Sequence, residues 1–174
     1  MEFAILDWIQ AHLRCGFLDA VLPVISWTSN HGEIWILLAL CLLAVKQTRR
    51  QGTTVAVALL MDLLCCNMIL KPLIGRVRPF AVRSAVELLV SAPLDASFPS
   101  GHTAVSFAAV FALKASGNPL WKPALVLASV IAFSRLYLYV HWPTDVLAGM
   151  LLGAALGYAA DLTVKKGLER MGKR

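Results

Sequence analysis

Three short clusters of charged and nucleophilic side chains stand at the ends of apolar stretches in this sequence. They read Lys71-Pro-Leu-Ile-Gly-Arg-Val-Arg-Pro, Pro99-Ser-Gly-His and Ser134-Arg-Leu-Tyr-Leu-Tyr-Val-His-Trp-Pro-Thr-Asp. If the apolar stretches form an up-and-down helical bundle, all three clusters lie at the same end of it. Three cations, two histidines and a carboxylate would then meet, which is a set of groups suited to the chemistry of an anion.

The cations of these clusters are Lys71, Arg78 and Arg135. A transferring phosphoryl group spreads negative charge over its equatorial oxygens, so catalysis is mostly positioning and charge stabilisation. Lys71 offers a compact charge, whereas the planar forks of Arg78 and Arg135 each suit two phosphate oxygens. The alternative is that the three are interfacial cations whose stems snorkel along the bilayer. We assign Arg76 and Arg83 to that interfacial role or to lipid-headgroup contact.

The spacing of the clusters resembles the three-part signature of the type 2 phosphatidic acid phosphatase superfamily. That signature is Lys-x6-Arg-Pro, then Pro-Ser-Gly-His, then Ser-Arg-x5-His-x3-Asp, and residues 71–145 match it at every motif position. The resemblance implies metal-independent hydrolysis of a phosphoester through a phosphohistidine. It also implies a site of the kind found in vanadium haloperoxidases.

His102 is the predicted nucleophile. We expect Ser100 to N-cap the helix of the third apolar run, and Gly101 to let the backbone approach an anion closely. The free N–H groups of that first turn form an anion site, so Ser100 and Gly101 are predicted to bind phosphate. His102 then lies beside the phosphate, where a nucleophilic imidazole is needed. The alternative is a capped helix with an interfacial histidine.

His141 and Asp145 form the predicted acid–base pair. Pro143 suits the first position of the last helix, which places His141 in the preceding turn. Asp145 could reach back to one ring nitrogen, fix its tautomer and stabilise the imidazolium. His141 would protonate the leaving oxygen and later activate water. A metal site is the rival reading of His102, His141 and Asp145, but three nearby cations would repel a metal. We therefore expect neither a metal nor another cofactor.

The composition predicts a membrane protein. Of 174 residues, 59% are hydrophobic and only 15% are charged, and the mean hydropathy is +0.71. Such a chain is too apolar for an ordinary soluble or disordered protein. The apolar runs are 33–47, 53–71, 101–115, 121–140 and 143–164. Each span must satisfy its own backbone hydrogen bonds, so we expect an all-α membrane bundle, although the first and third runs are shorter than the roughly 20 residues of a typical span.

The chain reads as one domain over 1–174, with five or six membrane spans. The segment 1–32 mixes charged and apolar residues, so it is predicted to be amphipathic and interfacial, or to form an additional helix packed against the bundle. The connection 79–99 includes a predicted amphipathic helix around 85–90. We expect Gly149, Gly153 and Gly157 to form a close-packing seam within the bundle.

The basic residues predict the orientation. The net charge is +6. Alternating spans place ten of the 16 lysines and arginines, including the C-terminal ones, on the face opposite the three clusters. The positive-inside rule makes that face cytoplasmic, so the C-terminus is predicted to be cytoplasmic and the site extracytoplasmic. Membrane lipids and an anionic lipid substrate are the expected partners, and nucleic acid is not.

The sequence therefore predicts a lipid phosphatase of the bacterial cytoplasmic membrane. The compact chain resembles small bacterial members that act on undecaprenyl diphosphate, phosphatidylglycerophosphate or phosphatidic acid, and we favour undecaprenyl diphosphate. The alternatives are a non-catalytic protein that binds or transports lipid phosphates, and a vanadate haloperoxidase. Asp62, inside the second run, is assigned either to a hydrogen bond with Asn67 or to a supporting role at the site.

Overall fold

A computed structural model describes residues 1–83 and 86–172, and this part of the chain is helical throughout its regular structure. The prediction of an all-α fold is confirmed. The helices are α1 (Glu2–Leu13), α2 (Gly16–Trp27), α3 (Glu33–Ala44), α4 (Arg49–Asp62), α5 (Lys71–Ile74), α6 (Pro79–Val82), α7 (Gly101–Ala115), α8 (Trp121–Tyr137) and α9 (Pro143–Gly172). A 3-10 turn (Lys46–Thr48) precedes α4, and a π-helix (Leu63–Leu70) joins α4 to α5.

The helices begin and end close to the predicted runs. The run 101–115 coincides with α7, and 143–164 lies within α9. The run 53–71 is covered by α4 and the π-helix, ending on the first residue of α5. The helix expected around 85–90 differs, because residues 86–90 have no helical structure and Ala85 lies outside the described residues.

The centre of the bundle is the packing of α7 against α9, with α4 lying against both. Small residues allow this approach, since a Cβ on Gly149, Gly153 or Gly157 would come within 3 Å of the α7 backbone or of the residue capping it. The facing side of α7 is rich in buried alanine, for example Ala104 and Ala108. The predicted glycine seam is therefore present within the bundle, as small residues permit in membrane helices.

Large apolar side chains cover the outside of the bundle. Two stretches are long and apolar enough to cross a bilayer, Lys46–Val82 and Pro143–Arg170, while α2 and α3 are shorter apolar helices. At 1.5 Å per residue, each of these shorter helices is about 18 Å long. A water-facing surface of this composition would be a large exposed apolar patch, whereas lipid solvates it. Exposed apolar residues on these elements include Leu37, Leu40, Leu60, Leu64, Met68, Ile69, Leu73, Leu147, Leu151 and Leu162.

The first 32 residues form two helices that pack against the bundle. Helix α1 contacts α8 and α9, and α2 contacts α8. The carboxylate of Asp7 accepts a hydrogen bond of 2.7 Å from the buried Tyr139 hydroxyl and pairs with Arg83. The polar side chains of α1 thus contact the end of the bundle that carries the three clusters, which favours the expected additional packed helix over a purely interfacial segment.

The π-helix supplies the transition from the core of α4 to the first cluster. Asp62 is the last residue of α4, and Lys71 is the first residue of α5. A π-helix inserts extra residues into an α-helix and is frequently found near functional sites. Here it shifts the face on which Lys71 and the preceding Asn67 lie, so that both reach the first turn of α7.

Candidate active site

The three clusters meet around one cavity at the end of the bundle. The cavity has a volume of about 1010 Å³. Its polar wall includes Lys71, Arg78, His102, Arg135 and His141. Its apolar wall comes from α2, α3, α4 and the π-helix, and comprises Pro23, Val24, Trp27, Ile36, Leu59, Leu60 and Leu63. The cavity therefore joins a cationic end to a surface suited to an acyl or prenyl chain.

Arg78 is held mainly by backbone carbonyl groups. Its Nε donates to the Asp95 carbonyl at 2.9 Å, and one terminal nitrogen donates to the Val140 carbonyl at 2.7 Å. That nitrogen also lies 3.2 Å from Nε2 of His141. The guanidinium is 5% exposed. Since carbonyl oxygens neutralise none of its charge, these contacts leave the charge of Arg78 to be balanced by an anion.

A carboxylate spans two of the three cations. The other terminal nitrogen of Arg78 donates to Oδ1 of Asp95 at 2.7 Å, and Lys71 pairs with Oδ2. Burial raises the pKa of the Asp95 carboxyl, but the hydrogen bond and charge of Lys71 and the charge of Arg78 outweigh it and lower the pKa to about 2. Asp95 is thus ionised at neutral pH. The sequence analysis did not identify it.

Arg135 reaches the cavity from α8. It is 4% exposed, and a terminal nitrogen donates to the hydroxyl of Ser26 on α2. Its Nε is buried and has no hydrogen-bond partner among the described residues. A buried donor without an acceptor is costly, so an oxygen of a bound anion would stabilise it.

His102 lies in the first turn of α7, next to Lys71 and Asn67. A Cβ on Gly101 would stand 3.2 Å from Oδ1 of Asn67 and 3.3 Å from Nζ of Lys71, so the glycine leaves room for both. Nε2 of His102 is 2.9 Å from Oδ1 of Asn30, a residue that follows α2. This contact orients the imidazole. Because the amide oxygen can only accept a hydrogen bond, Nε2 is the donor.

Ser100 occupies the N-cap position of α7, as predicted, but its side chain makes no capping hydrogen bond. Its hydroxyl instead accepts a hydrogen bond of 3.0 Å from the Thr103 hydroxyl, and the residue is fully buried. Ser100 does not line the cavity, whereas Gly101 and His102 do. The contribution of this turn to an anion site therefore comes from its backbone N–H groups rather than from the serine hydroxyl.

His141 and Asp145 are neighbours at the buried side of the cavity. Nδ1 of His141 is 3.5 Å from Oδ2 of Asp145, without the geometry of a hydrogen bond. Burial, followed by the charges of Arg78 and Arg135, holds the pKa of His141 well below its usual range. The neutral ring can accept a proton once an anion has balanced those charges.

Asp145 is fixed by donors other than the histidine. Oδ2 accepts hydrogen bonds from the Ser97 hydroxyl and, at 2.9 Å, from the backbone N–H of Trp142. Oδ1 accepts from Arg76 at 2.5 Å. Another nitrogen of Arg76 donates to Glu2 of α1 at 2.6 Å. Arg76 therefore belongs to the site, contrary to its assignment to the interface.

Asp62 also lies at this cavity. It is 1% exposed, and its Oδ1 has no hydrogen-bond partner in the part of the chain that the structure describes, so the expected bond to Asn67 is not made through that oxygen. Both residues line the cavity.

Three residues missed by the sequence analysis, Asn30, Arg76 and Asp95, thus contact the predicted site residues. For Arg76 a signal was present, since it stands within the first cluster, two residues before Arg78. Asp95 is one of two acids in the connection that follows the basic first cluster, which is a weaker signal of pairing. The sequence carries no comparable signal for Asn30.

Comparisons with known proteins identify the family of this chain. The family model of the PAP2 superfamily matches residues 51–167. An undecaprenyl-diphosphatase of Sulfolobus acidocaldarius is 35% identical over 75% of this chain, and the match spans 64% of that protein. A decaprenylphosphoryl-5-phosphoribose phosphatase of Mycobacterium tuberculosis is 35% identical, over 99% of this chain and 96% of its own.

A solved structure has the same fold. The crystal structure of a transmembrane PAP2-type phosphatidylglycerolphosphate phosphatase from Bacillus subtilis superposes with a TM-score of 0.72 and 25% identity, covering 94% of this chain and 86% of that one. The predictions of a helical membrane bundle and of a phosphoric-ester hydrolase are confirmed by these likenesses. The match of sequence and fold leads to one conclusion: this chain belongs to the PAP2 superfamily.

Proposed function

We propose that the chain removes the terminal phosphate of a lipid through a phosphohistidine on His102. The observation that carries the proposal is the meeting of Lys71, Arg78 and Arg135 with two histidines in a cavity whose other wall is apolar. The cations suit the phosphate, and the apolar wall suits a tail that stays in the bilayer. A non-catalytic lipid-phosphate binder would need the cations but not the second histidine beside a buried carboxylate.

The proposed reaction has two steps. The unprotonated ring nitrogen of His102 attacks phosphorus, a P–N bond forms, and the P–O bond to the lipid breaks while His141 gives the leaving oxygen a proton. Water then attacks the phosphohistidine, and His141 takes a proton from that water as the P–N bond breaks. Throughout, the cations stabilise charge on the equatorial oxygens, and Asp145 keeps His141 in place.

Undecaprenyl diphosphate is the substrate we favour, because a relative with that activity matches most of this chain. Decaprenylphosphoryl-5-phosphoribose is a second candidate, because the relative named for it matches along almost its whole length. Both are prenyl lipids with a terminal phosphate, and both suit the apolar wall of the cavity. Phosphatidylglycerophosphate, named for the solved structure, and phosphatidic acid are the acyl-lipid alternatives.

The test is phosphate release by purified protein in detergent, measured on these four lipids at equal mole fraction. We expect the prenyl lipids to give a kcat/KM at least tenfold above the acyl lipids. A higher kcat/KM on either acyl lipid would overturn the substrate assignment but leave the phosphatase. Release from none of the lipids would overturn the proposed activity itself.

We further propose that the site faces outward from a bacterial cytoplasmic membrane, with the C-terminus inside. The support is the excess of basic residues at the opposite end of the bundle, where Arg50 pairs with the buried Asp161 at 2.8 Å. Single cysteines at Ser91 and at Gln47, both exposed positions, test it in a chain lacking its native cysteines. An impermeant thiol reagent should label position 91 and spare position 47 in intact cells, and the reverse would invert the orientation.

A further inference from the structure

The position between Lys71 and Arg78 already holds an anion that belongs to the chain. The two oxygens of Asp95 divide between these cations, with Oδ1 on Arg78 and Oδ2 on Lys71. Two oxygens of a bound phosphate would bridge the same pair in the same way. The Asp95 carboxylate therefore stands where the substrate phosphate is expected.

The carboxylate is not needed to hold Arg78. The carbonyl groups of Asp95 and Val140 accept hydrogen bonds from the guanidinium at 2.9 and 2.7 Å. The backbone nearby is fixed as well, since the N–H of Ser97 donates to the Arg76 carbonyl at 2.8 Å. A rotation of the Asp95 side chain would thus free both cations without moving the loop.

The carboxylates of Asp95 and Asp145 differ in their exposure to solvent. The Asp95 side chain is 50% exposed, whereas that of Asp145 is fully buried among several donors. An exposed carboxylate recovers its hydration when it leaves its partners, and this offsets part of the loss of its ion pairs. The Asp95 side chain is therefore easier to displace from its partners than the Asp145 side chain.

We propose that Asp95 is a specificity-determining residue, an internal anion that keeps phosphodiester headgroups out of the cation site and yields to a terminal phosphate. The proposal rests on the proposed function, since it concerns the same site. A terminal phosphate carries a charge of about −1.5 to −2 at pH 7, whereas a phosphodiester carries one negative charge, like the carboxylate. The terminal phosphate is therefore attracted to the three cations more strongly than the Asp95 carboxylate is, and can displace it. A phosphodiester has no such advantage over the carboxylate.

A membrane makes this discrimination necessary. The cavity faces a bilayer in which phosphodiester headgroups are far more concentrated than any lipid with a terminal phosphate. An open cation site would bind those headgroups and be inhibited by them. While Asp95 occupies the two cations, no other anion can bind there, so the affinity for every anion falls in proportion to the fraction of time that the site is open. A phosphodiester that already binds weakly then occupies the site only rarely.

The experiment measures inhibition by a phosphodiester lipid. Wild type and Asp95→Asn release phosphate from the best lipid substrate in zwitterionic micelles, while phosphatidylglycerol is added. At a substrate mole fraction well below KM, we expect Asp95→Asn to lower the half-inhibiting mole fraction about tenfold, as for a site that the carboxylate leaves open about one time in ten. Phosphatidylcholine, which has no net charge, should inhibit neither protein.

Glu87→Gln is the matched control, because Glu87 is an exposed carboxylate of the same connection and does not line the cavity. It should behave as wild type. An equal half-inhibiting fraction for wild type and Asp95→Asn, or an equal change in Glu87→Gln, would overturn the proposal.

Equilibrium binding of a fluorescent phosphatidylglycerol decides the matter without turnover. Tighter binding to Asp95→Asn than to wild type supports the internal competitor even if the variant is inactive, and equal binding refutes it. This readout also separates the two proposals: absence of phosphate release by wild type counts against the proposed function, while the binding comparison alone judges Asp95.

Discussion

Arg76 donates a hydrogen bond to Oδ1 of Asp145 at 2.5 Å, and so links the first motif to the last one. The same guanidinium reaches Glu2 in α1, which makes the N-terminal helix part of the support for the carboxylate. Since Asp145 lies 3.5 Å from Nδ1 of His141, we expect this arginine, which is outside the motif positions, to influence the orientation of the proposed acid–base histidine.

Replacing Arg76 should therefore slow the reaction without weakening substrate binding. We expect Arg76→Met to lower kcat about 10- to 100-fold with KM changed less than threefold, because a small misplacement of catalytic groups is costly. Steady-state phosphate release measures both constants. Arg83→Met is the control, since Arg83 pairs with Asp7 and does not line the cavity. A kcat for Arg76→Met within twofold of wild type would contradict the positioning role.

His102→Ala should abolish turnover while the protein still folds, because the attacking nitrogen is lost. Phosphate release gives the rate, and the thermal midpoint in detergent reports folding. In wild type, acid-labile and base-stable phosphate should appear on His102 after rapid quenching with radiolabelled substrate. Turnover by the alanine variant near the wild-type rate would exclude His102 as nucleophile.

Gly101→Ala tests the close approach of Lys71 to α7. The added Cβ would stand 3.3 Å from Nζ of Lys71 and 3.2 Å from Oδ1 of Asn67, so the ammonium must shift by a few tenths of an ångström. We expect kcat/KM to fall about tenfold, a fraction of the effect of deleting a full charge-stabilising donor. Gly167→Ala, where a Cβ meets no described atom within 4 Å, should retain wild-type activity. Equal activities for both variants would contradict the proposed importance of the close approach of Lys71 to α7.

The ion pairs of Asp95 should make the folded protein sensitive to acid. The pKa of this carboxyl is about 2 in the folded chain, below its ordinary value near 4, so its contribution to stability is present above pH 4 and is lost as the pH falls towards 2. The difference in thermal midpoint between wild type and Asp95→Asn should therefore shrink between pH 5 and pH 2. A difference that stays constant over this range would mean that the ion pairs do not stabilise the fold.

A chelator should leave the activity unchanged, because lysine and arginine rather than a metal are proposed to neutralise the phosphate. Phosphate release with and without excess EDTA measures this. Vanadate should compete with substrate, since its adduct with a histidine nitrogen resembles the transferring phosphoryl group. Loss of activity in EDTA that a divalent metal restores would favour a metal site at His102, His141 and Asp145.

The helices were predictable because apolar runs mark their extent and proline, serine and glycine mark their ends. Pro99 and Ser100 mark the start of α7, and Gly117 with positive φ follows its end, so the run and the helix coincide. The π-helix over Leu63–Leu70 was not predictable, because an apolar run has the same composition in either helical form. Nor was a pair of short helices in residues 1–32 distinguishable from one amphipathic segment.

The site was predictable where one element holds both the residue and its neighbours. Gly101 and His102 share a helical turn, and His141 and Asp145 are four residues apart. Asn30 and Asp95 come from separate connections, so their contacts with His102 and Lys71 exist only in the folded chain. The serine hydroxyl of Ser100 was misplaced because the choice between a capping bond and a bond to Thr103 depends on local geometry.

The glycine seam between α7 and α9 has a mechanical consequence for how a lipid enters. Because the backbones of α7 and α9 are in close contact at Gly149, Gly153 and Gly157, we expect the two helices to move as one rigid unit. This unit carries both His102 and Asp145. We do not expect these helices to separate to admit a headgroup. We expect lateral entry from the bilayer on another side of the cavity, where Trp27 of α2 and Leu63 of the π-helix line it and are 70% and 50% exposed.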